Sequence, residues 1–210
     1  MAEPAPATEN NEARRVQMLR AAAALGRERG VPETRISDVA KRAGVSSALV
    51  IYYFGTRDRL LVDALRYSEE SGYEAAERML AEIPLLHERL SLLIKWTCVP
   101  EAENEIPGAW GLWFDLWAQA FRHDEVKAGR VELDARWRRM IADAVESADL
   151  DTEVDAKMFA LEFSALLDGL SIQVALEDPE VDSTVAYDIA MRFAERELNL
   201  PAETRSAKRR

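Results

Sequence analysis

The sequence predicts an all-α protein, with three helices at the N-terminus and an antiparallel helical domain after them. Apolar residues recur every three or four positions along most of the chain, the spacing of one helix face. Glycine or proline interrupts the pattern at 30–32, at Pro84 and at Pro179. We expect a disordered lead at 1–11, a small domain at 12–57, a larger helical domain at 58–200 and a basic, disordered tail at 201–210.

The N-terminus and the cysteine content predict a cytoplasmic protein. The first twelve residues are acidic and rich in proline and alanine, so we expect a disordered lead-in rather than a signal peptide. No run of 18 apolar residues occurs, and we therefore expect no membrane partner. The single cysteine, Cys98, suits a reducing compartment and is interpreted as a small core residue rather than a redox switch.

The net charge of −11 is unevenly distributed. Residues 1–67 hold 11 Lys and Arg against 8 Asp and Glu, a balance of +3, whereas residues 68–210 carry a balance of −14. An acidic body repels nucleic acid and leaves the basic N-terminal part to approach it. The overall acidity is therefore compatible with DNA binding.

The first helix is predicted from Glu12 to Arg29 and ends at Gly30 and Pro32. Arg14 and Arg15 would lie in its first turn, where the helix dipole disfavours cations. Two interpretations stay open for this pair, a phosphate contact and a solvated face.

The segment ISDVAKRAGVSSALVIYYFGTR, residues 36–57, predicts two short helices joined at Gly44. Gly44 supplies the positive φ that lets a helix end sharply, and Ser46 or Ser47 can cap the second helix. That helix is predicted from Ser47 to Phe54, with Leu49 or Val50 and Phe54 facing inward. The pattern is typical of a helix-turn-helix, whose second helix enters the DNA major groove.

A plain helical hairpin is the alternative, but it would not need the small, polar start of the second helix or the exposed residues at its end. We expect Ser47 and Ala48 to face base edges, and Tyr52, Tyr53 and Arg57 to hold phosphates. Arg35 would assist from the helix before, with Thr34 as its cap. The predicted DNA-binding residues are Thr34, Arg35, Ser46, Ser47, Ala48, Tyr52, Tyr53 and Arg57.

The stretch AKRAGVSSALVIYYFGTRDRLL resembles the signature of the TetR family of transcriptional regulators. The resemblance covers about the first third of the chain and implies a homodimeric repressor that binds a double-stranded DNA operator. This sequence departs from the family pattern at Arg57, where many members have lysine, and at Ile51, where many have tyrosine or histidine. A base or phosphate contact common in the family is therefore missing at Ile51.

The fourth helix is predicted after Arg57 and runs toward Met79 and Leu80, and the resemblance implies that it joins the two domains. A fifth helix from Leu85 to Val99 follows Pro84. Next comes AWGLWFDLWAQAF, which places five aromatic residues on one stripe of a helix: Trp110, Trp113, Phe114, Trp117 and Phe121.

This aromatic stripe is either core or the wall of a small-molecule pocket. Asp115 and Asp168 lie near apolar stripes, so a cationic ligand held over tryptophan faces is one candidate, and an aromatic ligand is another. The predicted ligand-binding residues are Trp110, Trp113, Phe114, Trp117, Phe121, Phe163 and Leu167.

The seventh helix is predicted at residues 125–148, with Val126, Val131 and Leu133 among its inward positions. Its arginines, Arg130, Arg136, Arg138 and Arg139, are interpreted as solvated charges. The run from Trp110 to Ile141 resembles the ligand domain of TetR members of the BetI type, which implies a helical regulatory domain.

The last two helices are predicted at about 152–177 and 181–198. The first of them is apolar around more than one face, so it is either central or shared with another subunit. The family resemblance implies that this pair packs against its twofold mate as a four-helix homodimer interface.

No catalytic arrangement, metal site or cofactor motif is recognisable. His87 and His123 are the only histidines, and neither lies at metal-ligand spacing. We expect a DNA-binding regulator, not an enzyme, released from its operator by a small molecule. The alternatives are a small helical enzyme and a dimeric ligand-binding protein without DNA binding; turnover would favour the first, and failure to shift genomic DNA fragments the second.

Overall fold

The computed structural model describes residues 6–99, 110–150 and 153–201, which contain nine α-helices and no strand. The all-α prediction is confirmed. The helices are α1 (Pro6–Arg29), α2 (Ile36–Arg42), α3 (Ser47–Phe54), α4 (Arg57–Glu82), α5 (Leu86–Cys98), α6 (Trp110–Ala120), α7 (Asp124–Glu146), α8 (Ala156–Ala175) and α9 (Ser183–Glu197).

Helix α1 begins at Pro6, six residues before the predicted start at Glu12. Proline is tolerated in the first turn of a helix because its missing N–H has no intrahelical partner there. Helix α1 thus includes residues 6–11 of the lead that the sequence predicted to be disordered, and residues 1–5 lie outside the described residues, as do 202–210 of the predicted tail. Arg14 and Arg15 consequently lie in the body of α1 rather than in its first turn.

Two compact units form, residues 1–75 with 107–134 and residues 76–106 with 135–210. The boundary predicted between residues 57 and 58 follows chain order, whereas the first unit also contains α6 and the start of α7. Its core joins α1 to the two short helices and to the start of α4, through Met18, Leu19, Val39, Phe54 and Leu60, all buried.

The second unit is built on α5, α8 and α9, each of which packs against the other two. Its centre holds a stack of three rings: Phe163 lies 5.1 Å from Phe159 and 6.2 Å from Phe193, measured between ring centroids. Arg89 is buried beside this core and donates hydrogen bonds to the carbonyl oxygens of Ile83 and Ala144 at 2.6 Å and 3.1 Å. These carbonyls supply the partners that a buried guanidinium requires.

Cys98 confirms the sequence interpretation, because its side chain is fully buried in the second unit. Burial penalises the thiolate and raises the pKa of the Cys98 thiol to about 11. A thiolate is therefore scarce at neutral pH, which argues against a redox role.

Helix α8 buries one face and leaves another uncovered. The uncovered side exposes the apolar residues Met158, Leu161, Ile172 and Leu176. By length and hydropathy alone, α8 also meets the criteria for a membrane span. Such criteria are also met by core helices of soluble proteins. Only 39% of the apolar window of α8 is buried within this chain, so much of its apolar surface remains available.

Candidate functional sites

Helix α3 is held at its two ends by the features that the sequence predicted. Gly44 has a φ of +63° in the turn, and the Ser46 hydroxyl accepts a hydrogen bond of 3.2 Å from the backbone N–H of Leu49. Val50 and Phe54 are the buried positions that fix the helix to α1 and α2. These anchors decide which face of α3 points away from the core.

The opposite face of α3 is open. Ser47 and Ala48 are exposed at its start, while the Tyr52 side chain is 82% exposed and Ile51 is 50% exposed. Ile51 was not among the predicted site residues, although its place one turn after Ser47 puts it on the same face. An apolar side chain exposed beside small polar ones is available for contact with another molecule.

Tyr53 is only partly exposed, and its hydroxyl lies 3.1 Å from the Asn11 side-chain oxygen in α1, to which it donates. Its ring meets that of Tyr52 edge-on, with the centroids 5.6 Å apart. Asn11 therefore ties the end of α3 to the N-terminal half of α1.

Two exposed cations lie at the ends of α2: Arg35 is its N-cap residue, and Lys41 is in its last turn. The neighbouring Arg42 instead donates two hydrogen bonds to the Glu28 carboxylate, at 2.6 Å and 2.7 Å. This contact lowers the pKa of Glu28 and raises that of Arg42. Arg35 and Lys41 are consequently the better placed of these three residues to meet an external anion.

The predicted capping role of Thr34 is wrong. The N-cap residue of α2 is Arg35, which makes no side-chain cap bond, and Thr34 is 1% exposed. The Thr34 hydroxyl donates instead to the carbonyl oxygen of Gly30 at 2.8 Å, because the connection folds back on the end of α1. A direct DNA contact by this hydroxyl does not fit the structure.

Arg57 is half-buried and bonded to the backbone of this chain, whereas the sequence predicted a phosphate contact. Its guanidinium donates to the backbone carbonyls of Val31, Thr34 and Pro32, with the Thr34 bond at 2.7 Å and the Pro32 bond at 3.2 Å. The planar fork of arginine suits several carbonyls at once. Arg57 therefore fixes the α1–α2 connection, which carries the start of the helix-turn-helix.

Asp115 of α6 contacts the same connection from another side. Its carboxylate accepts a hydrogen bond of 2.7 Å from the backbone N–H of Val31. Gly30 has a φ of +83°, and a Cβ atom there would lie 2.8 Å from the Asp115 carboxylate oxygen. The sequence suggested Asp115 as a charge for a cationic ligand, but its partner is this backbone N–H.

The aromatic residues of α6 form a cluster in the first unit. The Trp117 ring lies 6.2 Å from that of Trp113 and 5.9 Å from that of Phe114, in edge-on and tilted arrangements. The side chain of Trp110 lies outside the described residues. Phe121 does not belong to the cluster: α6 ends at Ala120, so the helical stripe stops, and Phe121 is 90% exposed.

Arg130 of α7 completes this cluster, contrary to its prediction as a solvated charge. Its guanidinium carbon lies 3.6 Å from the Trp113 ring centroid and 5.3 Å from that of Trp117. It pairs with the Asp134 carboxylate one turn further along α7, and its side chain is only 4% exposed. A cation stacked on an aromatic face is attracted by the ring quadrupole.

The two ligand-site predictions in the second unit lie in its core. Phe163 and Leu167 are fully buried, and Phe163 belongs to the ring stack described above. A groove of about 380 Å³ does occur on the surface of this unit, but its lining contains neither residue. It is lined by Ile83, His87, Glu88, Ser91, Leu92, Lys95 and Tyr187.

Comparison with known proteins finds a family match for each of two segments of the chain. Residues 18–64 match the family model of bacterial regulatory proteins of the tetR family. Residues 86–199, more than half of the chain, match the C-terminal domain of BetI-type transcriptional repressors. The chain belongs to the TetR family of transcriptional regulators.

Relatives of this TetR-family chain align over most of their length. The transcriptional regulator BetI of Yersinia pestis is 27% identical over 199 residues, covering 89% of this chain and 93% of the relative. The regulator PksA of Bacillus subtilis is 29% identical, with 89% and 90% covered. A transcriptional regulator from Saccharomonospora viridis, solved in complex with choline, is 26% identical with a TM-score of 0.73, covering 90% of this chain and 98% of that one.

Membership in the TetR family confirms the prediction of a DNA-binding regulator rather than an enzyme. Among the residues that the structure describes, no cluster of His, Cys, Asp and Glu could hold a metal ion.

Proposed function

We propose that the chain is a homodimeric repressor that binds its operator through α3 and is released by a small molecule bound in the BetI-type domain. The observation that carries the DNA-binding part is the exposure of one face of α3. Ser47, Ala48 and Tyr52 point outward from a helix whose other face, Val50 and Phe54, is anchored in the core. A protein that used α3 only for packing would not leave this face open.

Base edges are contacted by the start and middle of α3. The small side chains of Ser47 and Ala48 allow a close approach to the groove floor, and Ser46 fixes the helix start as its cap. Ile51 joins them as an apolar reader, because aliphatic side chains pack against the thymine methyl group in the major groove.

Phosphates are held by Arg35 and Lys41 from α2 and by Tyr52 and Tyr53 from the end of α3. These contacts position the helix and carry little sequence information. Thr34 and Arg57 support them indirectly, since both hold the connection that precedes α2.

The dimer is formed by α8 and α9. The exposed apolar residues of α8 recur at intervals of three, four or seven and trace one stripe, which includes Met158, Leu161, Ala165 and Ile172. The exposed Gly169, whose added Cβ would meet no atom within 4 Å, leaves room on this stripe for a second helix. Val185, which is exposed, extends the apolar surface onto α9. A second copy of the chain provides a matching apolar stripe across a twofold axis.

The ligand is bound beside the aromatic cluster formed by Trp113, Phe114 and Trp117. The choline complex of the Saccharomonospora relative supports a small-molecule ligand for this chain, and the segment that matches the BetI-type family model includes the aromatic cluster. Phe163 and Leu167 support the helical frame as core residues. The protein acts in the cytoplasm, where its operator is.

Ligand binding reaches the DNA-binding helices through α6. This helix carries Trp113 and Trp117 of the cluster and Asp115, which is bonded to Val31 in the connection before α2. A ligand that binds more tightly when α6 takes a different position lowers the affinity for DNA. The difference between its affinities for the two states limits how far the DNA affinity can fall.

The experiment that tests this function is DNA selection from a random pool, followed by binding measurements on the selected duplex at several salt concentrations. Tyr52→Ala should weaken binding without changing the melting temperature. A small-molecule screen on the same complex should yield compounds that release the duplex. Absence of any selected sequence would contradict the proposal.

A further inference from the structure

The aromatic cluster of α6 already contains a cation that belongs to the protein. The guanidinium of Arg130 lies 3.6 Å from the centre of the Trp113 ring and 5.3 Å from that of Trp117. A ligand cation gains attraction from an aromatic ring only within about 6 Å of its centroid. Arg130 therefore occupies the volume that a quaternary ammonium group would need on this face.

Backbone packing keeps Arg130 in place. The preceding residue, Gly129, lies so close to α4 that a Cβ atom there would overlap a methyl carbon of Val62. This close approach fixes the distance of α7 from its neighbour at the position of Arg130. Asp134, one helical turn away, pairs with the guanidinium and neutralises part of its charge.

We infer that Arg130 excludes small quaternary cations from the Trp113 face, so that the ligand of this chain is uncharged or acidic. The inference rests on the proposed ligand role of the aromatic cluster. A second cation would meet both occupied volume and a like charge in a site with little water to screen it. Choline binding by the Saccharomonospora relative therefore does not carry over to this chain.

The test uses the full-length protein without DNA and two probes, tetramethylammonium and choline, titrated by calorimetry and tryptophan fluorescence at constant ionic strength. The wild type should show no saturable binding of either probe. Arg130→Met removes the charged, planar guanidinium that covers the Trp113 ring, so this variant should show the saturable binding of tetramethylammonium that the wild type lacks. Arg130→Lys retains the positive charge and should show no gain.

Two controls locate the effect. Arg139→Met removes an exposed arginine from the same helix and should behave as the wild type. Combining Arg130→Met with Trp113→Leu should abolish the gained binding, because the ring that attracts the probe is gone.

The inference would be overturned if the wild type bound tetramethylammonium saturably and Trp113→Leu abolished that binding. This outcome does not depend on whether the Arg130 variants fold. A folded Arg130→Met protein with no gain would overturn it as well. These readouts need no operator, so a failure to observe ligand-controlled release of DNA would contradict the proposed function and leave this inference standing.

Discussion

The carboxylate of Asp115 accepts a hydrogen bond of 2.7 Å from the backbone N–H of Val31, 84 residues earlier in the chain. Val31 belongs to the connection between α1 and α2, whose carbonyl groups are held from the other side by Arg57. Asp115 therefore links the aromatic helix α6 to the segment that leads into α2, the first helix of the helix-turn-helix. Any shift of α6 changes the surroundings of that connection.

Replacing Asp115 tests the value of this bond. Asp115→Ala leaves the N–H of Val31 without its acceptor, and we expect the free energy of unfolding to fall by about 1–3 kcal/mol. Asp115→Asn keeps an acceptor oxygen and should lose less than half as much. Chemical denaturation followed by circular dichroism measures both. An alanine variant as stable as the wild type would contradict the assignment.

Gly30 and Gly44 provide a matched pair for the same contact. Both have positive φ, +83° and +63°, but only a Cβ at Gly30 would approach the Asp115 carboxylate, at 2.8 Å. Gly44→Ala should cost about 1–2 kcal/mol of backbone strain. Gly30→Ala should cost more, because it also displaces the carboxylate, and equal losses would argue against crowding.

Arg57 and Arg35 should respond differently to truncation. Arg57→Ala removes three bonds to the α1–α2 connection, so we expect a lower melting temperature and weaker DNA binding with an unchanged salt slope. Arg35→Ala should leave the melting temperature unchanged and reduce the slope of log affinity against log salt by about 1, as expected for one phosphate contact. The reverse pattern would restore Arg57 as a phosphate contact.

Because Ile51 is proposed to contact a thymine methyl group, DNA affinity should depend on that methyl group. Replacing a contacted thymine by uracil in the selected duplex removes only that methyl group, and we expect affinity to fall about three- to tenfold, as one buried methyl contact is worth about 0.8 kcal/mol or more. The Ile51→Ala protein should bind the two duplexes equally well. Uniform tolerance of uracil by the wild type at every position would contradict this role.

Cys98 predicts a loss of stability at alkaline pH. Burial raises its pKa from 9.0 to about 11, so the folded state retains the proton that the unfolded state releases. The contribution of the Cys98 thiol to the free energy of unfolding should be fully present below pH 9. It should be lost as the pH rises toward 11, by on the order of 2 kcal/mol. Cys98→Ala should lack this part of the decline. Native Cys98 should also resist thiol reagents at pH 8, and rapid labelling would contradict its burial.

Local sequence signals predicted the helices well. The bounds of α3, Ser47 to Phe54, follow from a capping serine, a glycine turn and two apolar anchors, all within ten residues of one another. The end of α6 was less clear, because the aromatic spacing continues to Phe121 while the helix stops one residue earlier. Val131 was expected inward on similar grounds and is exposed.

Contacts between distant segments were not predictable in this way. Asp115 and Arg130 each lie in an amphipathic helix where a charged residue is ordinarily solvated. Their partners, Val31 and Trp113, are determined by how helices pack in the first unit, and no local spacing encodes that packing. Arg57 resembles a phosphate ligand in sequence for the same reason, since its carbonyl partners lie 23 to 26 residues away.

The central claim is that two copies of α3, paired through α8 and α9, bind successive turns of one DNA face. Hydroxyl-radical footprinting of the selected duplex tests it most directly, with Leu161→Glu as the variant that places charge on the exposed stripe of α8. We predict two related half-sites whose centres are about 34–36 Å apart or a multiple of that distance, and loss of both in the variant together with a monomer mass in solution. A single protected half-site, or full protection by a monomeric Leu161→Glu protein, would contradict the account.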